Sequence, residues 1–197
     1  KVKHSKTGRP EGTGFITNAS FLNENWDNEI VFITNSHVVS DNPNDGSPLT
    51  PSTTKVEFTQ LPDKPTLSLG SKRFYSSPEE LDIIVFDIEI QELDIALDIN
   101  KYCPVLNVAE GEKEKVFIIG HPRGGDLAVS LFNNELVGYD GPYVHYTSPT
   151  EGGSSGSPVL NDALVTFALH HKARRDISAN QGVLFGGIID EISNVRS

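Results

Sequence analysis

The heptapeptide Gly-Gly-Ser-Ser-Gly-Ser-Pro at residues 152–158 constrains this chain more than any other stretch. Its composition suits neither a helix nor a regular strand, and taken alone it reads as a flexible linker. The flanks point elsewhere. Residues 143–146 upstream, and Pro158, Val159 and Leu160 followed by residues 164–169 downstream, read as strands. The heptapeptide is therefore expected to be a tight connection between two ordered elements. Gly153 and Gly156 admit positive or crowded backbone angles that other residues resist. A turn built on them can aim the amides of Gly153 and Ser155 at a developing oxyanion, the electrostatic arrangement that dominates acyl-transfer catalysis. Ser155 is the serine such a turn presents.

A nucleophilic serine needs a base, and a base must be held rigidly before its pKa matters. The segment 29–39, EIVFITNSHVV, sets His37 just past an apolar strand at residues 30–34. A lone histidine there would be a structural one; paired with Ser155 it becomes the general-base candidate. Two segments place an acid at the head of an apolar run: Asp82 before Ile83, Ile84 and Val85, and Asp94 before Ile95, Ala96 and Leu97.

A chain of 197 residues can bury a full core, as one domain or as two small barrels. Its 17 glycines, 12 prolines and short apolar runs favour all-β organisation. Strands are expected over residues 14–22, 29–34, 55–60, 68–75, 82–90, 115–120, 130–139, 143–147, 157–160, 164–170 and 183–186. A surface loop is expected over 41–54 and a short terminal helix over 190–195. There is no internal repeat and no apolar stretch of membrane-spanning length. A net charge of −11 argues against nucleic-acid binding, since such proteins cluster Lys and Arg against phosphate. The exception is local: a basic run at residues 170–175 lies just past the serine turn.

The single cysteine, Cys103, excludes an internal disulfide framework and reads as an inert thiol. With no signal-peptide pattern visible, the expected compartment is the cytoplasm, with a secreted bacterial protein as the alternative. The chain begins at Lys1 and contains no methionine, which reads as a processed or excised product. His121 and His145 read as structural. His170 and His171, adjacent on a strand, face opposite ways and cannot serve one zinc ion together. No metal and no organic cofactor is implied.

The motifs GTGFIT (12–17), TNSHVV (34–39), ELDIIVFDI (80–88), VFIIGHP (116–122) and GGSSGSPV (152–159) run in the order His, Asp, Ser. Together they resemble the trypsin-like serine peptidases over residues 12–171. The resemblance implies two orthogonal antiparallel β-barrels with a short C-terminal helix and the active site between the barrels. The first barrel, residues 1–105, would carry His37 and the acid; the second, residues 106–197, would carry Ser155 and the specificity pocket, with the join near 100–111. Ser155 takes the third position of GxSGxP and is implied to be the nucleophile, with Ser154 and Ser157 as neighbours and His37 as base. Asp82, 45 residues after His37, resembles the spacing of compact bacterial members and is preferred over Asp94. Gly153 and Ser155 would supply the oxyanion hole. Ser154 stands where digestive members carry the aspartate that pairs with a new amino terminus, so activation by N-terminal trimming is not expected.

Around the nucleophile the chain is similar to glutamyl endopeptidases. That implies Thr150 and His170 as the primary pocket for an acidic side chain, with Lys172, Arg174 or Arg175 adding attraction and Asp176 and Glu151 as opposing charges nearby. The same region also resembles protease effector domains fused to bacterial NTPase or sensor modules in defence proteins. The implied partners are thus a protein or peptide substrate and a fused or associated regulatory module, with no nucleic acid and no membrane. A protease-like binding module without turnover is the reading from another class.

Overall fold

The two most apolar runs form the strands that organise the molecule. In the computed structural model, which describes residues 1–27, 29–90 and 114–194, they are β4 (Ile30–Thr34) and β8 (Ile83–Asp87). They pair antiparallel, Ile33 opposite Val85. Successive strand side chains point to opposite faces, and here both faces are buried. Val31, Ile33, Ile83 and Val85 enter one core, while Ile30, Phe32, Ile84 and Phe86 enter another. The absence of polar alternation in these runs is thereby explained.

Flanking strands β3 (Phe15–Asn18) and β7 (Lys72–Ser76) complete a sheet of order β3-β4-β8-β7. A second four-stranded sheet, of order β2-β1-β5-β6, joins β1 (Val2–His4), β2 (Pro10–Gly12), β5 (Thr54–Glu57) and β6 (Thr66–Leu67). The later residues form one seven-stranded sheet. Its members are β9 (Phe117–Gly120), β10 (Ala128–Val129), β11 (Leu136–Asp140), β12 (Tyr143–Tyr146), β13 (Pro158–Leu160), β14 (Thr166–Arg174) and β15 (Ala179–Leu184). Their order is β10-β9-β13-β14-β15-β12-β11. The chain ends its described course in helix α1 (Phe185–Asn194), which buries Phe185, Ile188 and Ile192, a helical stripe.

Three cores result. One lies within the first half around Phe32, Val38, Leu49 and Phe86, and one within the second around Tyr146, Val159 and Phe167. The third is a seam, joining Phe15, Ile33 and Val85 of the first half to Leu169, Val183 and Ile188 of the second. Burying each such aliphatic side chain stabilises by about 1.5–3 kcal/mol, so the seam holds the halves in register and fixes whatever lies at its edge.

Several expected elements differ in extent. The strand expected over 14–22 stops at Asn18, whose side chain accepts from the Ser20 amide and starts a 3₁₀ turn. The strand expected over 130–139 begins only at Leu136, as β11, because residues 130–135 turn the chain between β10, which ends at Val129, and β11. Residues 185–186, expected to end a strand, instead begin α1, five residues earlier than the helix expected over 190–195. The expected barrel join at 100–111, Asp94 and Cys103 all lie outside the described residues. Among the described residues no helix is long and apolar enough to cross a membrane.

Candidate active site

Asp82 immediately precedes β8 and is fully buried. Its φ is +49°, a left-handed conformation that Asp tolerates better than most residues because its short side chain bonds locally. The motif residues 35–37 all turn toward it. Asn35 Nδ2 donates to the Asp82 carbonyl at 2.8 Å, and Ser36 Oγ and the His37 amide both donate to Oδ1 at 2.8 Å. His37 Nδ1 stands 2.5 Å from Oδ2. Burial pushes the Asp82 carboxyl up, but the His37 bond, the His37 and His171 rings and the His37 amide outweigh it and hold the group below the usual carboxylate range. An ionised Asp82 facing Nδ1 fixes the tautomer that leaves His37 Nε2 free to take a proton. The His37 side chain remains 34 % exposed and so reaches a cleft.

The serine turn comes from the other half. Ser154 and Ser157 are buried, and only Ser155 of the three is partly exposed. Gly153 has φ +94° and Gly156 φ +84°, and a Cβ on either would come within 2.6 Å of the His121 carbonyl or 2.1 Å of the Thr13 carbonyl. The Gly152 carbonyl accepts from the Arg123 amide at 2.5 Å. Across a trans peptide the C=O and N–H point in opposite directions, so this bond turns the Gly153 amide away from Arg123. Neither that amide nor the Ser155 amide donates to an acceptor among the described residues. Two free donors on one turn can receive an oxyanion. No hydrogen bond joins His37 to the Ser155 hydroxyl, a contact that in such sites often tightens only in the complex with substrate.

Thr13 ties this turn to the first half, a part that sequence reasoning did not single out. Its Oγ1 donates to the Gly153 carbonyl at 2.8 Å and accepts from the His121 amide at 2.9 Å, while its own amide donates to the Ser155 carbonyl at 2.9 Å. The signal was present in GTGFIT, where a small polar residue stands between two glycines.

Thr150 and His170, expected to line the primary pocket, differ in exposure. Thr150 lines an open cleft with Gly120, Pro122, Glu151 and Ser154. His170 is 3 % exposed. Its Nδ1 is 2.7 Å from the Tyr146 hydroxyl, and its backbone is knitted to the serine turn through the Gly156 amide and the Ser157 carbonyl. No hydrogen bond joins the two residues. Burial, with the neighbouring His171 and His37 rings, pushes the His170 imidazole down to about 3. Burial also raises the Tyr146 phenol well above its usual value. Of the nearby charges, Arg174 is held by Asp176 at 2.7 Å and Glu151 pairs with Arg123, whereas Lys172 is exposed.

His145 and His121 are both buried. His145 Nε2 lies 3.2 Å from Gln181 Nε2, and His121 Nδ1 lies 3.1 Å from the Gly125 carbonyl. The sequence gives His171 no mark as a site residue, yet its Nε2 stands 3.2 Å from Asp82 Oδ2. Ligand atoms of His37, Asp82 and His171 thus lie within 4.8 Å of one another. The spacing belongs to protons, not to a metal. Two ligands of a tetrahedral zinc stand about 3.4 Å apart, against 2.5 Å between His37 and Asp82. His171 Nδ1 also lacks the acceptor that a metal-bound imidazole ordinarily has.

A base and its acid from one half, facing a glycine-shaped serine turn from the other, is the organisation of a trypsin-like serine protease. Residues 12–167 match the trypsin-like peptidase domain, and the chain belongs to that family. A curated relative, the uncharacterized protein y4fB of Sinorhizobium fredii, is 29 % identical over 180 residues. That match takes in 81 % of this chain and 25 % of the relative, so the chain spans about a quarter of its length. Among solved structures, an inactive form of Rv3671c from M. tuberculosis is similar with a TM-score of 0.62 at 15 % identity, covering 100 % of this chain and 87 % of that one. A Glu endopeptidase in complex with MPD gives 0.59 at 13 % identity, covering 99 % and 95 %. The serine endoprotease from Yersinia pestis gives 0.56 at 14 %, covering 94 % and 63 %.

Proposed function

We propose that this serine protease cleaves peptide bonds on the carboxyl side of acidic residues, Glu over Asp, through an acyl-enzyme at Ser155. His37 takes the Ser155 proton as the hydroxyl attacks the scissile carbonyl and returns it to the leaving amine; Asp82 keeps His37 in the Nδ1–H tautomer. The amides of Gly153 and Ser155 hold the oxyanion. Water then enters, His37 acts again as base, and the ester to Ser155 is hydrolysed. The 2.5 Å contact between His37 Nδ1 and Asp82 Oδ2 carries this assignment.

The acidic preference rests on His170. Its Nδ1 is engaged by Tyr146 and its backbone by the serine turn, which leaves Nε2 as the edge available to a substrate carboxylate. Such a bond is charge-assisted and stronger than a neutral one. Thr150 would add a hydroxyl from the cleft wall, and Lys172 a long-range attraction. Arg174 pairs with Asp176 and Arg123 with Glu151, so each of these acids already faces a cation of the protein itself. A regulatory module joined to the chain is the partner this reading adds to the substrate, supported by the much greater length of y4fB.

The test is a panel of peptides differing only in the residue before the scissile bond. Glu should be cleaved fastest and Asp more slowly, with His170→Ala and Thr150→Val lowering the ratio of Glu to Gln cleavage. Efficient cleavage after Arg, Lys or large apolar residues, with the acidic peptides untouched, would refute the preference and leave the Ser155 assignment standing.

A further inference from the structure

The Asp82 carboxylate is shared between two imidazoles, and only one of them has a place in the reaction just described. His171 lies on β14 beside the bulge between His170 and Lys172, a feature that re-aims side chains near active sites. Its ring is 4 % exposed. It stacks on Tyr143 of β12 with centroids 6.4 Å apart and faces His37 across Asp82, centroids 6.2 Å apart. Nε2 stands 3.2 Å from the same Oδ2 that His37 Nδ1 approaches, while Nδ1 is buried without a hydrogen-bond partner. That asymmetry favours one tautomer. A proton on Nε2 meets a carboxylate, whereas a proton on Nδ1 finds no acceptor at hydrogen-bond distance.

Building on the roles assigned to His37 and Asp82 above, we propose that His171 is a positioning residue of the protease: a neutral imidazole that gives its Nε2–H to Asp82 Oδ2 and so sets the orientation and basicity of the carboxylate that holds His37. The surroundings keep it neutral. Burial, helped by Lys172 and His37 and opposed by Asp82 and the polar Gln181 side chain, pushes its pKa down to about 4. The charged and titratable groups facing the cluster are His37 from the loop after β4, Tyr143 from β12 and Lys172 from β14 itself, while His170 points to the opposite face, toward Tyr146. Burial first, then Asp82, raises the Tyr143 phenol, which is therefore also neutral at working pH. A neutral donor tempers the carboxylate without adding a second positive charge. Without it Asp82 becomes a stronger base toward His37, the His37 imidazolium is favoured, and the acid limb of activity moves to higher pH.

The experiment compares His171→Leu, which removes the donor, with His171→Gln, whose amide can reach the same carboxylate oxygen. For each, kcat and KM are measured on one peptide across the acid limb of kcat/KM, with thermal unfolding to confirm folding. His171→Leu should lose about ten- to a hundredfold in kcat, the effect of one hydrogen bond to a charged group, with KM nearly unchanged and the acid limb shifted upward. His171→Gln should recover most of kcat and return the limb toward the wild type. Nitrogen-15 NMR of the unaltered protein should find His171 neutral with its proton on Nε2. Equal losses in the two variants, an unmoved acid limb, or a proton on Nδ1 would overturn the proposal. Asp82→Asn, run in parallel, separates its failure from that of the underlying reading: full activity in that variant removes Asp82, and His171 with it, from the mechanism.

Discussion

Acid should unfold this protein from above pH 4, driven by histidines and not by the active-site carboxylate. In the unfolded chain His170 and His171 titrate near 6.5; burial lowers them to about 3 and about 4 in the fold. Above pH 6.5 both are neutral in both states and contribute no pH dependence. As pH falls below 6.5, only the unfolded chain takes up the protons, so folding loses about 1.4 kcal/mol per pH unit for each histidine. Together they cost about 2.7 kcal/mol per unit, or about 5 kcal/mol by pH 4.5, against a total stability of about 5–15 kcal/mol for a domain. His121, lowered to about 4, and His145, both chiefly through burial, act in the same direction and steepen the loss. Asp82 acts elsewhere. Its folded pKa is depressed, so its contribution is complete above the ordinary carboxylate range and is lost only as pH falls through its own lower value. Urea unfolding of Ser155→Ala, which avoids self-digestion, would be measured at intervals from pH 7 to pH 4.5. A free energy flat across that window refutes the reasoning, as does an unchanged slope when both residues are replaced by Gln.

Ser155→Ala and His37→Ala should each cost on the order of a million-fold in kcat, with the double variant scarcely worse, because the two act as a unit; hydrolysis rates of one peptide check this. Ser157→Ala should stay active and fold at least as stably, since it removes a buried hydroxyl that has no partner, and thermal unfolding reports it. Gly153→Ala should lose about 10²–10³ in kcat by turning one oxyanion donor out of place, because its Cβ would press to 2.6 Å on the His121 carbonyl; steady-state kinetics on a folded variant decide.

The triad candidates were legible because their chemistry is local. A serine between Gly153 and Gly156, and a histidine at the end of an all-apolar strand, leave marks within a few residues. Asp82 was legible through the apolar run behind it. Contacts between distant strands left no such mark. The role of Thr13 depends on meeting Gly153 and Ser155 across 140 residues, and that of His171 on facing Asp82 across the seam. Period-two reasoning correctly set His170 and His171 on opposite faces, but with both faces buried the second face also held chemistry. Strand ends misread for a different reason: Asn18 caps a turn with its side chain, and Phe185 serves a helix as readily as a strand. The short strands β1, β2 and β6 owe their form to partners and not to their own two or three residues.

The seam core has a consequence in time. Strands β4 and β8 present half of their apolar side chains to a core shared with residues that follow them much later in the chain, Val183, Phe185, Ile188 and Ile192 among them. A growing chain therefore carries His37 and Asp82 when the face behind them is covered only in part, by Phe15, Leu22, Trp26 and Phe74 of the first half. The seam is complete, and the two halves of the candidate site are held in register, only once β15 and α1 have docked on that face.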